Sequence, residues 1–407
     1  MMNTKEHIIK IGRAMLALGL QNTHCGNISV REGDEFYITK TGSMKGHLEE
    51  RDIVLPGLDE PKTGLFQASS ETGTHREILR YAKAAMHAHS LPATLISYTT
   101  DTIEPLDFLG KSYLRSVPVA AFEYPVGSKE MEEEIPNRLR QASAVVVKTH
   151  GPFVRGNSLN EAFFNLCIVD YSSEILLNMA MLGVDRSRVQ ELHYPHSKVY
   201  KEPKDFKATK DGELIRQFKR TASDIFTMKL SPFHTGSLSV EDGNEMLFAS
   251  AVSSPETFEN EIVRKKIEEE EDDFFKNLHR AVYTHSSAKS AILTHSPYAM
   301  IQSFCMLSKG MDRIVPIDAE GGYLYPAVPV VLPDTDMKSI IRKAEKYKMV
   351  VLAGLGVLAV GHTPGHTIHH VSSLKNICYL KTQLELMERV GVVKDADAYL
   401  DERGKNW

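Results

Sequence analysis

The 407-residue chain holds only four cysteines, Cys25, Cys167, Cys305 and Cys378, widely spaced and with no CxxC pair. That argues against a disulfide scaffold and a structural zinc module, and it suits a reducing cytoplasm. Charge of one sign is missing too. Lys and Arg number 48 against 53 Asp and Glu, a net charge of −5, so the basic footprint of a nucleic-acid binder is absent. The longest apolar run, Met349 to Val360, is broken by Gly354 and Gly356 and is too short to span a bilayer. Lys5, Glu6, Lys10 and Arg13 interrupt the N-terminal pattern, which reads as a helix and not as a signal peptide. What is left is a globular composition, 42% hydrophobic and 25% charged, which excludes disordered and fibrous classes. The length predicts two or three domains, in a cytoplasmic protein that meets neither membrane nor nucleic acid.

The chain repeats itself. His24-Cys-Gly-Asn-Ile-Ser-Val30 returns as His234-Thr-Gly-Ser-Leu-Ser-Val240, His75-Arg76 as His279-Arg280, and Ala88-His89-Ser90 as Thr294-His295-Ser296. The block from Val146 to Gly151 returns from Val351 to Gly356. Four matches in one order, at nearly one offset, imply two copies of a whole domain, since the period far exceeds a solenoid unit. The expected domains are 1–190 and 210–400, joined through the polar stretch from Glu191 to Thr209.

Each copy opens on an amphipathic helix. The first has Ile8, Ile11, Met15 and Leu18 behind a capping box of Asn3 and Glu6; the second has Leu214, Ile215, Phe218, Ala222 and Ile225. A hairpin follows in both, turning at Glu32 to Asp34 and at Glu241 to Asn244. Then come a helix (Thr74 to Tyr81; Phe274 to Val282) and a strand that carries histidine. Charged helices behind Ser128 and Asp334 lead to apolar strands at Ala144 to Val147 and Met349 to Leu352. Long helices, Leu159 to Met181 and Thr367 to Val390, close the copies. The predicted class is α/β, and the hairpins exclude a purely parallel sheet.

The sharpest local feature is His87-Ala88-His89 at the end of an apolar strand. Residues i and i+2 of a strand share a face, so two imidazoles form half a metal site, which His150 at another strand end could complete. Taken singly, HxH is as well explained by ordinary packing or surface histidines. Ser69-Ser70-Glu71 precedes a helix and reads either as an anion site with a carboxylate beside it or as a plain N-cap with an acidic first turn. Gly26-Asn27 and Thr41-Gly42 read as turn chemistry or as ligand contacts.

Taken in order, Gly-Asn-Ile-Ser, Ile-Thr-x-Thr-Gly, Ser-Ser-Glu, His-x-His-Ser and His-Gly resemble the class II aldolase/adducin family, over about Ile8 to Val184. The resemblance implies two class II aldolase-like three-layer domains, each a mixed, mainly antiparallel sheet flanked by helices. It implies that His87, His89 and His150 bind a divalent metal, most often Zn2+, with Mn2+, Fe2+ or Co2+ as other choices. Glu71 would then be the acid/base, with Asn27, Thr41, Gly42, Ser69 and Ser70 as phosphate contacts. Lys40 departs from the family pattern, which has proline there. The implied activity is a metal-dependent lyase acting on a small phosphorylated sugar or sugar acid through a metal-stabilised enediolate. The same site would serve an epimerase, dehydratase or decarboxylase, and a non-catalytic, adducin-like scaffold is the alternative from another class. A tyrosine from a neighbouring subunit assists the aldolases; Tyr113 lies in the matching region.

The second copy reads as degenerate. His87 falls on Leu293 and His150 on Leu355, Glu71 falls near Phe275, Asn27 becomes Ser237, and only His89 persists, as His295. The cluster His362, His366, His369 and His370 lies at the turn into the last helix and reads as a solvated face or an adventitious metal. The acidic run Glu268 to Asp273 reads as a solvated helix start. Relatives form four-fold tetramers, so the resemblance implies a homodimer with alternating intact and degenerate copies around a pseudo-four-fold axis. Residues Asp318 to Tyr325, Tyr323 and Tyr325 among them, would then line the neighbour's pocket.

Overall fold

The computed structural model describes residues 3–59, 68–197, 200, 212–253 and 262–394. The chain forms two compact units, one of residues up to Pro105 with Leu109–Leu177, the other of Leu106–Phe108 with the residues from Asn178 on. Of the stretch expected to join two domains, residues 198–199 and 201–209 lie outside the described residues.

The first copy opens with α1 (Thr4–Leu18), which the Asn3–Glu6 capping box starts and Gly19, at φ 76°, ends; Ile8, Ile11 and Met15 form its buried stripe. The hairpin is β1 (Asn27–Glu32) and β2 (Glu35–Thr39), with Glu32 opposite Glu35 across the turn. The chain continues through β3 (Ile53–Val54), α2 (Thr72–Leu79), β4 (Ala84–His87), α3 (Leu91–Ile96), β5 (Thr102–Ile103), α4 (Phe108–Tyr113) and β6 (Val117–Ala120). It ends with α5 (Lys129–Leu139), β7 (Ala144–Val147), β8 (Gly151–Gly156) and α6 (Leu159–Leu182). The sheet order is β3-β2-β1-β4-β8-β7-β6-β5, parallel only between β6 and β7. Strands β4 and β7 are buried along their whole length, which is why they read as continuous apolar runs. Helices α2 and α5 bring Ile78, Leu79, Met131, Ile135 and Leu139 onto Val145, Val147 and Phe153.

The second copy repeats this plan. Its elements are α7 (Glu213–Thr227), β9 (Ser237–Asp242), β10 (Glu245–Ser250), β11 (Ile262–Lys266), α8 (Phe274–His285), β12 (Ser290–Thr294) and α9 (Pro297–Ser308). They continue as β13 (Arg313–Ile314), α10 (Ala319–Leu324), β14 (Val328–Val331), α11 (Met337–Tyr347), β15 (Met349–Leu352), β16 (Gly356–Gly361) and α12 (Pro364–Arg389). The order β11-β10-β9-β12-β16-β15-β14-β13 matches the first sheet strand for strand, again with one parallel pair, β14 and β15. The predicted mixed, mainly antiparallel α/β architecture is present twice.

One repeated motif turns out to be architecture. His75 and His279 are fully buried, and each pairs through Nδ1 with a strand serine, Ser29 and Ser239, at 2.6 Å. Burial pushes both imidazoles down to about 3, so they are neutral packing groups with a satisfied polar atom. The cap of α11 is Asp336, two residues beyond Asp334, and Asp273 caps α8 at the end of the acidic run, whose Glu270 and Glu271 pair with Arg280, Lys265 and Lys276. Among the described residues no helix is long and apolar enough to cross a membrane. None of the four cysteines forms a disulfide.

Candidate metal centre

The first copy brings the residues of five sequence motifs to one cavity of about 250 Å³. Strand β4 delivers His87 at its last position, and His89 follows just beyond the strand. His150 comes from the tight turn between β7 and β8, where Thr149 takes φ 70° and Gly151 φ 147°. A Cβ at Gly151 would strike the carbonyl of Ala88, so glycine there lets the two histidine-bearing segments approach. The three rings meet edge to face, with centroids 4.4 to 5.0 Å apart.

The imidazoles are set up as ligands. One nitrogen from each of His87, His89 and His150 lies within 4.8 Å of the others, the single such group of three or more candidate ligand residues among the described residues. His87 Nδ1–H donates to the carbonyl of Pro152 at 3.0 Å, which fixes its tautomer and leaves the Nε2 lone pair facing His150 Nε2 at 3.1 Å. Two ligands on a tetrahedral zinc ion stand about 3.4 Å apart, so this separation fits one cation shared between them. Burial holds all three below the ordinary histidine range: His87 well below, with His150 and His89 adding repulsion, and His150 at about 4. They are therefore neutral at pH 7, the form that binds metal. The contacts of Glu71 with His87 (3.9 Å) and His150 (3.6 Å) are consequently not ion pairs.

Glu71 occupies the N-cap position of α2 without using its side chain to cap the helix. The carboxylate turns inward, 3% exposed, and Oε2 accepts from Asn27 Nδ2 at 2.6 Å. Its Oε1 is buried without a hydrogen-bond partner. An orphaned carboxylate oxygen beside three neutral imidazoles has a use only if a cation or a substrate proton arrives there. Desolvation raises Glu71 to about 7, with the Asn27 hydrogen bond opposing the rise. Asn27 is placed by strand pairing, directly opposite His87, and its Nδ2 also donates to Ser69 Oγ at 2.9 Å. Thr41, Gly42, Ser69 and Ser70 line the same cavity.

Gly26, at φ 73°, sits where a Cβ would collide with the Gln21 side chain and the His87 carbonyl. Gly26→Ala is expected to cost at least about 2 kcal/mol in urea unfolding, from left-handed strain plus displacement of the β1–β4 edge. A loss under about 0.5 kcal/mol would mean that the turn is not held as described.

Sequence reasoning missed Lys45, a pocket-lining cation that is 1% exposed. Its only sequence signal was proximity to Thr41-Gly42. Tyr113 does not line the cavity but packs edge-on against Phe164 at 4.8 Å.

Among its described residues the second copy carries no such centre. Ser237 pairs with Leu293 across the sheet, as Asn27 does with His87, and its hydroxyl meets His279 Nε2 at 2.8 Å. His295 is a buried histidine bonded through Nδ1 to the Leu355 carbonyl at 2.6 Å and faced by the Phe275 ring. Leu293 and Leu355 are fully buried apolar side chains. His362, His366 and His369 are exposed at the start of α12, and they do not converge as ligands with His370, whose Nδ1 meets the Tyr325 hydroxyl at 2.8 Å. Tyr325 is 1% exposed, so the expectation that it reaches a neighbour's pocket is corrected: its ring is core. Tyr323 is 72% exposed.

A family model described as "Class II Aldolase and Adducin N-terminal domain" matches this chain twice, over residues 6–177 and 221–382. The chain belongs to the class II aldolase/adducin family. It is 32% identical over 179 residues to the L-fuculose phosphate aldolase of Methanocaldococcus jannaschii, covering 43% of this chain and 97% of that one. It is 28% identical to the 3-oxo-tetronate 4-phosphate decarboxylase of Haemophilus influenzae (40% of this chain, 80% of the other). It is also 28% identical to the methylthioribulose-1-phosphate dehydratase of Acidiphilium cryptum (41% and 86%). Among solved structures, the L-fuculose-1-phosphate aldolase of Thermus thermophilus is 31% identical, covering 44% of this chain and 95% of that one, with a TM-score of 0.42. Members of this family thus carry out aldol cleavage, decarboxylation and dehydration on phosphorylated compounds.

Proposed function

We propose that the first copy is a divalent-metal lyase, zinc being the preferred ion, acting on a small phosphorylated sugar or sugar acid. The observation that carries this reading is the convergence of three neutral imidazoles beside a buried carboxylate with an unused oxygen. His87, His89 and His150 would hold the ion, which when bound supplies Lewis-acid polarisation of a substrate carbonyl. Asn27, Thr41, Gly42, Ser69 and Ser70 bind the phosphate through hydroxyl, amide and turn backbone groups. Glu71, oriented by Asn27, presents Oε1 to the reacting carbon. In cleavage it would deliver its proton to the carbon left when the C–C bond breaks, and in the reverse direction take it back, while the proton of the hydroxyl that becomes the aldehyde carbonyl passes to solvent. A carboxylate near pH 7 in its proton affinity is suited to moving a proton both ways. The second copy, without ligands at the equivalent positions, serves as a non-catalytic partner domain. Two chains form a homodimer in which intact and degenerate copies alternate around a pseudo-four-fold axis, within a reducing cytoplasm. Light scattering should give twice the 45.6 kDa chain mass, and a concentration-independent 45.6 kDa would refute the dimer.

Product analysis of the metal-loaded protein tests the reaction. With L-fuculose 1-phosphate and other ketose phosphates, an aldehyde and a shortened phosphorylated ketone are expected. Loss of water from methylthioribulose 1-phosphate, or of CO2 from a 3-oxo-tetronate 4-phosphate, with no cleavage of any ketose phosphate, would replace the lyase reading by a dehydratase or a decarboxylase working from the same residues. Metal-loaded protein inert toward all of these would leave the scaffold.

A further inference from the structure

Lys45 is a fully buried ammonium whose partners are all neutral. Its Nζ donates to the carbonyl of Ser43 at 2.9 Å, the carbonyl of His24 at 3.1 Å and the hydroxyl of Ser43 at 3.2 Å. Its own backbone N–H donates to the Thr23 carbonyl at 2.8 Å. Among the described residues no carboxylate forms an ion pair with it; Asp52 acts on it only from a distance, and the Cys25 thiol is the other titratable group facing it. Burying a charge without a counter-charge is costly, and a methionine of similar length would avoid that cost. Three neutral acceptors compensate it only in part. Burial accordingly pulls this lysine down to about 8.

Its place gives the charge a purpose. Lys45 lines the same cavity as Thr41, Gly42, Ser69 and Ser70, with Lys40 as the other lysine on its wall. It staples those turns together, since its head group holds the carbonyls of His24 and Ser43 at once. The hydroxyls of Thr41 and Ser69 can orient an anion but cannot neutralise one.

We propose that Lys45 is the positioning residue of the anion subsite: its buried cation sets the positive potential there and clamps the two turns that make the contacts, so an entering dianion supplies the missing counter-charge. This rests on the reading that the substrate is phosphorylated.

The test is sulfate affinity of the full-length, metal-loaded protein between pH 6.5 and 9, because sulfate remains a dianion throughout. In the wild type the affinity should fall at least about tenfold as pH rises through 8, where Lys45 loses its proton. Lys45→Met should bind sulfate at least about tenfold more weakly at pH 7 and lose the fall through pH 8, keeping only the decline that ionisation of Glu71 near 7 in the same cavity produces, with an unchanged metal content. Lys45→Arg, charged at every pH used, should hold its affinity at pH 9, which a purely mechanical staple would not predict. Cys25→Ser should keep the wild-type profile, excluding the thiol as the titrating group. Equal binding by wild type and Lys45→Met, or a flat wild-type profile should the variants fail to fold, overturns the role of Lys45 while leaving the anion site standing. A wild type that binds neither sulfate nor phosphate at about 100 mM overturns the phosphorylated-substrate reading, and this proposal with it.

Discussion

Glu71→Gln is expected to retain its full complement of metal and to lose turnover by about 10²–10⁴-fold, the usual contribution of a positioned acid/base group. Glutamine keeps the size and still accepts the Asn27 hydrogen bond, so the cavity should stay as it is. Only the exchangeable proton is removed. Stability of the metal-free protein gives an independent readout. Glu71 has a folded pKa near 7 against 4.5 when exposed, so the native state binds the extra proton between those values. Its contribution to stability is therefore complete below about pH 4.5 and is lost as pH rises through 7. By pH 8 wild type should be less stable than Glu71→Gln by on the order of 3 kcal/mol, with the two converging at pH 5. The comparison must be between variant and wild type. The buried neutral histidines work in the opposite direction, destabilising the fold as pH falls below 6.5. Equal turnover in Glu71→Gln would remove Glu71 from the chemistry.

His89→Ala and His150→Ala carry the second large effect. Each leaves two imidazoles, and metal affinity should fall by more than about 100-fold, with activity lost in parallel. The substitution to avoid is His87→Ala, because His87 is fully buried, stacks on Phe153 at 4.2 Å and would leave a core cavity. His366→Ala and His369→Ala, at exposed positions on α12, are the controls and should change neither metal content nor activity. Metal lost through the α12 substitutions instead would move the centre to the second copy.

Much of this was readable from residues alone, for identifiable reasons. The tandem plan was legible because the turn and strand residues recur in order, and strand pairing then gave both copies one topology. The triad was legible because HxH at a strand end keeps two imidazoles close together, although the strand itself stops at His87 and His89 lies just beyond it. Glu71 was ambiguous: Ser-Ser-Glu before a helix is written the same way whether the carboxylate caps the helix or turns away. The deciding contact is Asn27, 44 residues upstream on β1, which the β1–β4 pairing sets opposite His87. The recurrence of His75 as His279 marks the repeat, and its role in the core was not legible, since burial and a serine partner are invisible in a motif. Lys45 escaped notice because lysine is normally a surface residue, and its burial depends on two turns closing over it. Tyr325 was placed on a surface that it does not reach, because an aromatic residue near a helix end carries no mark of which way its ring faces.

The central claim is that one copy of this duplicated fold holds a metal and the other does not. Elemental analysis of the full-length protein, purified without chelator and then reconstituted, tests it most directly. One equivalent of zinc or another first-row divalent metal per chain is predicted, lost in His89→Ala and kept in His366→Ala. Less than about one tenth of an equivalent after reconstitution, or a full equivalent that survives in His89→Ala, would contradict it.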